Sequence, residues 1–120
     1  MLVKTFGSAV VGVDAITITV EVNVDRGMKF FMVGLPDNAV KESQQRIKAA
    51  FKNNNLKFPG REITVNMAPA DIRKEGSVFD LPIAIGVLAV SEQVKSDLLN
   101  QYILIDNDAV GQQQHLIFLL

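Results

Sequence analysis

The 120-residue sequence contains no cysteine, no tryptophan and a single histidine, His115. Without cysteine the chain cannot form disulfide bonds, thiolate zinc sites or a cysteine nucleophile. One histidine cannot build a multi-histidine metal site. The longest apolar run extends only from Leu81 to Val90, whereas a membrane-spanning helix needs about 20 residues. Since the N-terminal residues also lack the layout of a signal peptide, the sequence predicts a soluble, cytoplasmic protein with no metal site and no membrane partner.

Charge of either sign is not in excess. Twelve Lys and Arg residues face thirteen Asp and Glu residues, which gives a formal net charge of -1. This balance provides no general attraction to nucleic acid or anionic lipid, although it is compatible with a local basic patch. With 48% apolar and 21% charged residues, the composition is that of an ordinary globular domain with a hydrophobic core.

The first third of the chain has the two-residue periodicity of β-strands. Residues 16–24 alternate strictly between Ile or Val and polar side chains, which predicts a half-buried strand. Residues 2–11 are predicted as its hairpin partner across a turn at 12–14. Residues 29–33 are predicted as a third strand.

The periodicity then changes to that of a helix. Asp37 is the predicted N-cap of this first helix, and the asparagines at 53–55 end it. A fourth strand is predicted from Glu62 to Met67. The apolar run from Leu81 to Val90 is predicted as a second, fully buried helix, capped by Asp80.

Together these elements predict an α+β fold, a two-layer sandwich in the order β-β-β-α-β-α with helices on one face of the sheet. Gly86 would allow a strand to approach the second helix closely. Residues 102–105 are a candidate fifth strand. The phenylalanines have the spacing of core residues: Phe30, Phe31, Phe51 and Phe79.

A charged turn, Arg73-Lys74-Glu75-Gly76-Ser77, precedes the second helix. It does not match the G-x-x-x-x-G-K-[ST] loop that wraps phosphates, and no other part of the chain does. Lys74 could serve Ser77 as a base for nucleophilic catalysis. In the alternative interpretation, Ser77 satisfies amides at the helix entry and Lys74 is solvated. The residues alone indicate a small α+β domain with no visible active site.

Two long runs are more specific than the composition. The segments "VGLPDNAVKESQQRIKAAFKNN" (33–54) and "FPGREITVNMAPADIRKEGSVFDLPIAIGVLA" (58–89) closely resemble the bacterial magnesium-chelatase-like AAA+ ATPases of the YifB/ComM competence-protein type. The resemblance implies a ribosomal-protein-S5-domain-2-like fold, shared with the Lon protease domain, over residues 1–105. It also implies that full-length members carry an AAA+ motor domain that uses ATP and Mg²⁺, and that they act as ring-shaped DNA motors in branch migration.

The same resemblance bears on the charged turn. When Lys74-Glu75-Gly76 is laid on the corresponding run of Lon-type proteases, Val78 stands at the position of the nucleophilic serine. This implies a non-catalytic accessory domain, with no catalytic or nucleotide-binding residues in this chain. Arg73 and Lys74 would then contact DNA or the neighbouring subunit of the ring. Two alternatives stay open: a free-standing nucleic-acid-binding module, and a residual Ser-Lys hydrolase that uses Ser77.

Beyond Ile105 the sequence departs from the family pattern. Residues 106–120, "DNDAVGQQQHLIFLL", are interpreted as a divergent tail, and the AAA+ motor domain is absent from this chain. The sequence therefore indicates a truncated or frame-shifted gene product, with a natural short variant as the alternative.

Overall fold

The computed structural model describes residues 1–69, 79–95, 97 and 99, without the side chains of Val10 and Val11. The predicted order β-β-β-α-β-α is confirmed. The elements are β1 (Leu2–Val11), β2 (Asp14–Asp25), β3 (Phe30–Val33), α1 (Asp37–Asn53), β4 (Glu62–Ala68) and α2 (Asp80–Val90). The candidate strand at 102–105 and the tail at 106–120 lie outside the described residues. Within the described ranges, neither helix has the length and apolar character that a membrane crossing requires.

β1 and β2 form the predicted antiparallel hairpin. The turn is tighter than the sequence suggested, because Asp14 already belongs to β2 and pairs with Val11. Gly12 adopts a φ of 63° in this turn, a left-handed conformation that glycine reaches at little cost.

β3 lies at the far edge of the sheet rather than beside β2. The strand order is β1-β2-β4-β3, and β3 pairs in parallel with β4. Because parallel neighbours need a crossover connection, α1 spans the sheet between them. The sequence pattern predicted the strands but did not reveal this parallel pair.

One face of the sheet carries the hydrophobic core. Its central strands contribute side chains that are almost fully buried: Ile18, Val20, Val22, Ile63, Val65 and Met67. α2 packs on β1 and β2, and α1 packs on β3 and α2. The alternate positions of β2 point to the other face and are partly buried or exposed. The predicted α+β sandwich of two layers is confirmed.

Both predicted N-caps are wrong. The N-cap of α1 is Pro36, and Asp37 is the first helical residue. The N-cap of α2 is Phe79, and Asp80 lies inside the helix. Neither helix start has a side-chain capping hydrogen bond. In both cases the acidic residue stands in the first turn, where the helix dipole favours a negative charge.

The phenylalanine prediction holds except for Phe31. Phe51 and Phe79 are buried, and Phe30 packs partly buried against the core. Phe31 is 43% exposed. Adjacent residues of a strand point to opposite faces, so Phe30 and Phe31 cannot both enter the same core.

Candidate functional site

The residues predicted to make contacts, Arg73 and Lys74, lie outside the described part of the chain, as does Ser77. Their roles stay predictions. The structure does describe the two elements that flank them in sequence, β4 and α2. A polar cluster stands at the start of α2.

This polar cluster consists of Ser43 and Arg46 on α1 and Asp80 on α2. The Arg46 guanidinium donates from Nε to Asp80 Oδ2 at 2.6 Å and from a terminal nitrogen to Oδ1 at 3.3 Å. The Ser43 hydroxyl donates to Asp80 Oδ1 at 2.9 Å. The Asp80 side chain is only 7% exposed and that of Arg46 is 28% exposed. The bidentate, charge-assisted geometry is of the strong class.

The cluster ties two helices together. Ser43 and Arg46 are three positions apart on α1, so they share one helical face. That face meets the first turn of α2, where Asp80 would be costly to bury without partners. A second polar contact fixes the same turn of α2 to the sheet, since the buried Thr5 hydroxyl donates to the Pro82 carbonyl at 2.8 Å.

A small pocket of about 50 Å³ lies beside the cluster. Its walls include Met32 and Met67 from the sheet and Glu42 from α1. A cavity of this size holds one or a few water molecules rather than an organic substrate. Among the residues that the structure describes, no group of His, Asp and Glu is placed to hold a metal ion. The arrangement is suited to positioning the start of α2.

The sequence interpretation missed this cluster. It assigned Asp80 to a local role as a cap, whereas the carboxylate is used by residues more than thirty positions away, Ser43 and Arg46. The available signal was an acidic residue placed directly before an apolar run, together with a serine and an arginine spaced for one helical face.

Comparison with known proteins decides the family. The protein-family model for subunit ChlI of Mg-chelatase matches residues 20–108, which include β4, α2 and Asp80 of the polar cluster. The chain belongs to this family. The chain is 47% identical over 102 residues to the competence protein ComM of Haemophilus influenzae. This match covers 84% of this chain and 20% of ComM.

Other relatives of the Mg-chelatase-like family match a similar stretch. The chain is 47% identical over 98 residues to the uncharacterized protein YifB of Escherichia coli, covering 81% of this chain and 19% of YifB. It is 32% identical over 103 residues to an uncharacterized protein of Mycobacterium tuberculosis, covering 85% of this chain and 20% of that protein. The matched stretch is thus about a fifth of each relative's length.

Proposed function

We propose that this Mg-chelatase-like domain is a non-catalytic accessory domain of an AAA+ ATPase of the ComM type, in which it serves ring assembly or the engagement of DNA or a partner. The observation that carries the proposal is the 47% identity to the competence protein ComM over 84% of this chain. ATP and Mg²⁺ would be bound by the motor domain of the longer protein.

The polar cluster supports a non-catalytic role. Its serine, arginine and aspartate bind one another across two helices. Ser43 is only 3% exposed, so its hydroxyl is not open to a substrate. These side chains fix the start of α2. Arg73 and Lys74, which precede α2 in sequence, remain the proposed contacts to DNA or to the next subunit.

A chimera tests the accessory role. Residues 1–105 would replace the matching segment of H. influenzae ComM, and transformation frequency would be measured beside strains carrying intact ComM or ComM without that segment. We expect the chimera to restore transformation and the deletion to abolish it. A deletion strain that transforms as well as the intact strain would overturn the proposal.

The same chimera tests the contact residues. Arg73→Glu with Lys74→Glu should reduce DNA-stimulated ATPase activity or ring assembly. The matched control is Lys4→Glu with Lys41→Glu, which makes the same charge change at exposed positions on β1 and α1. Equal activity in both pairs would exclude the proposed contact.

The hydrolase alternative needs a separate experiment. The chain would be incubated with a fluorophosphonate probe, which labels activated serines. On the accessory-domain proposal Ser77 stays unlabelled. Labelling that disappears in Ser77→Ala would favour the hydrolase instead.

A further inference from the structure

α2 is buried on all sides, including the side that faces away from the sheet. Gly86 marks the side that faces the sheet, because a Cβ built on it would stand 2.5 Å from Val22 Cγ2 on β2. Each residue of an α-helix is turned by about 100° from the one before it. Leu81, Ala84 and Leu88 therefore lie opposite Gly86 and share one stripe along the helix. We call this stripe the outward face of α2.

The described elements account for the other sides of α2. β1 and β2 pack on the side that contains Gly86, and α1 meets the first turn through Asp80. Yet Leu81, Ala84 and Leu88 are each only 1% exposed. A fully buried residue touches about 6–12 others, so a further part of the chain covers the outward face.

The turn after α2 supplies the beginning of this cover. Glu92 adopts a φ of 63°, and its N–H donates to the Ala89 carbonyl at 3.0 Å. The Gln93 N–H donates to the Leu88 carbonyl at 2.8 Å, which completes the Schellman arrangement that ends a helix. The Val94 N–H also reaches the Leu88 carbonyl, at 3.4 Å. The chain that leaves α2 is therefore bound to the last residue of the outward face.

Val94 and Leu99 keep the following residues on the domain, since both pack partly buried against the core. These two side chains are too few to close the whole outward face. Leu81 and Leu88 are seven positions apart in α2, which corresponds to about 10 Å along the helix axis. Several apolar residues are needed to cover a stripe of that length.

Two longer segments lie outside the described ranges, 70–78 and 100–120. The first, "ADIRKEGSV", has four charged residues among nine, and it must also connect β4 to α2. The second follows Leu99 and contains the apolar runs "YILI" at 102–105 and "LIFLL" at 116–120, with Asp106 and Asp108 as its charged residues. Because contact between two apolar surfaces removes both from water, the second segment is the better cover.

We propose that residues 100–120 dock on the outward face of α2 through their apolar runs and so complete the hydrophobic core. Without this segment, Leu81, Ala84 and Leu88 would form an exposed apolar stripe, a feature that promotes association with other chains. The inference concerns the surface of α2 in this chain and is independent of the proposed role in a ComM-type ATPase.

Thiol labelling of the full chain tests the docking, because the sequence contains no cysteine. Ala84→Cys places a single thiol on the outward face, and Ala50→Cys places one at a buried position of α1 as the matched control. Labelling rates are compared with and without Leu104→Gln and Phe118→Gln, over a series of protein dilutions. These substitutions should raise the rate at position 84 at least about tenfold, because a covered thiol reacts only in the open fraction of molecules. The rate at position 50 should stay unchanged.

The same substitutions outside the segment provide a second control. Val13→Gln with Met28→Gln changes two exposed apolar residues and should leave both labelling rates unchanged. A photocrosslinker then identifies the neighbours directly, with p-benzoylphenylalanine in place of Tyr102 or of Phe118. After tryptic digestion, the crosslinks should lie in the peptide from Glu75 to Lys95, which contains α2.

Three labelling results would overturn the docking. A thiol at position 84 that reacts as fast in the otherwise unaltered chain as in urea would mean that the face is open. A rate at that position that the Gln substitutions leave unchanged would assign the cover to another segment, with 70–78 the next choice. Protection that is lost on dilution would make a second copy the cover. If both thiols gain equally, the substitutions have unfolded the chain, and the crosslinks decide: no product with α2 would overturn the docking.

Discussion

Replacing Gly86 by alanine should destabilise the domain, although alanine is the better helix former. Gly86 lies in the middle of α2 and faces β2. A Cβ built on it would stand 2.5 Å from Val22 Cγ2 and 3.3 Å from Val22 Cβ, whereas carbon atoms pack best at about 3.5–4.0 Å. Val22 is fully buried, and its β-branched side chain cannot rotate away freely.

The magnitude follows from two opposed terms. Alanine in a helix interior gains about 1 kcal/mol over glycine. Overpacking a well-filled core costs about 1–3 kcal/mol, and the upper end applies because the clash is with a stiff side chain at the centre of the sheet. We therefore expect Gly86→Ala to lower the free energy of unfolding by about 2 kcal/mol.

Urea denaturation of the chain measures this change. The control is Gly60→Ala, where an added Cβ meets no atom within 4 Å and the expected change is below about 0.5 kcal/mol. Val22→Ala removes the clashing methyl group, so the double variant Gly86→Ala/Val22→Ala should be about 1 kcal/mol more stable than the sum of the single effects. A Gly86→Ala protein as stable as the wild type, or strict additivity with Val22→Ala, would refute the close approach.

Two further predictions concern side chains of the helices and the sheet. Arg46→Gln removes charge-assisted hydrogen bonds to Asp80 and should lower the free energy of unfolding, measured in urea, by about 1–2 kcal/mol. Arg46→Lys should recover only part of this stability, because lysine lacks the planar fork. Full recovery of stability by lysine would contradict the bidentate geometry. Phe51→Ala should lower the free energy of unfolding by about 3–5 kcal/mol. Phe31→Ala should lower it by less than half of that amount, because Phe31 is 43% exposed. Equal losses in the same assay would contradict the assignment of Phe31 to the open face.

The elements themselves could be predicted because their signals are local. Strict alternation along β2 and the continuous apolar run of α2 each place every residue relative to the core. The close approach at Gly86 was also predictable, since a glycine inside an otherwise apolar helix has few other reasons to be there. Strand pairing was not predictable in the same way. β3 has only four residues, and their sequence does not indicate which strand they pair with.

The two misassigned aspartates show the same limit at the level of side chains. Asp37 and Asp80 both have the sequence context of an N-cap, yet each is the first residue of its helix. Asp80 binds Ser43 and Arg46 on α1 instead of local amides. Its side chain is buried, and these charge-assisted hydrogen bonds offset part of the cost of removing the carboxylate from water. The rules for N-caps consider only residues near the helix start in sequence, so they cannot predict a partner on another helix.

The position of Asp80 has a consequence for the connection between β4 and α2. Ala68, the last residue of β4, pairs with Thr19 of β2, and Asp80 is bound to α1 through Arg46. Both ends of the connection are therefore anchored to different parts of the fold, one to the sheet and one to the helical layer.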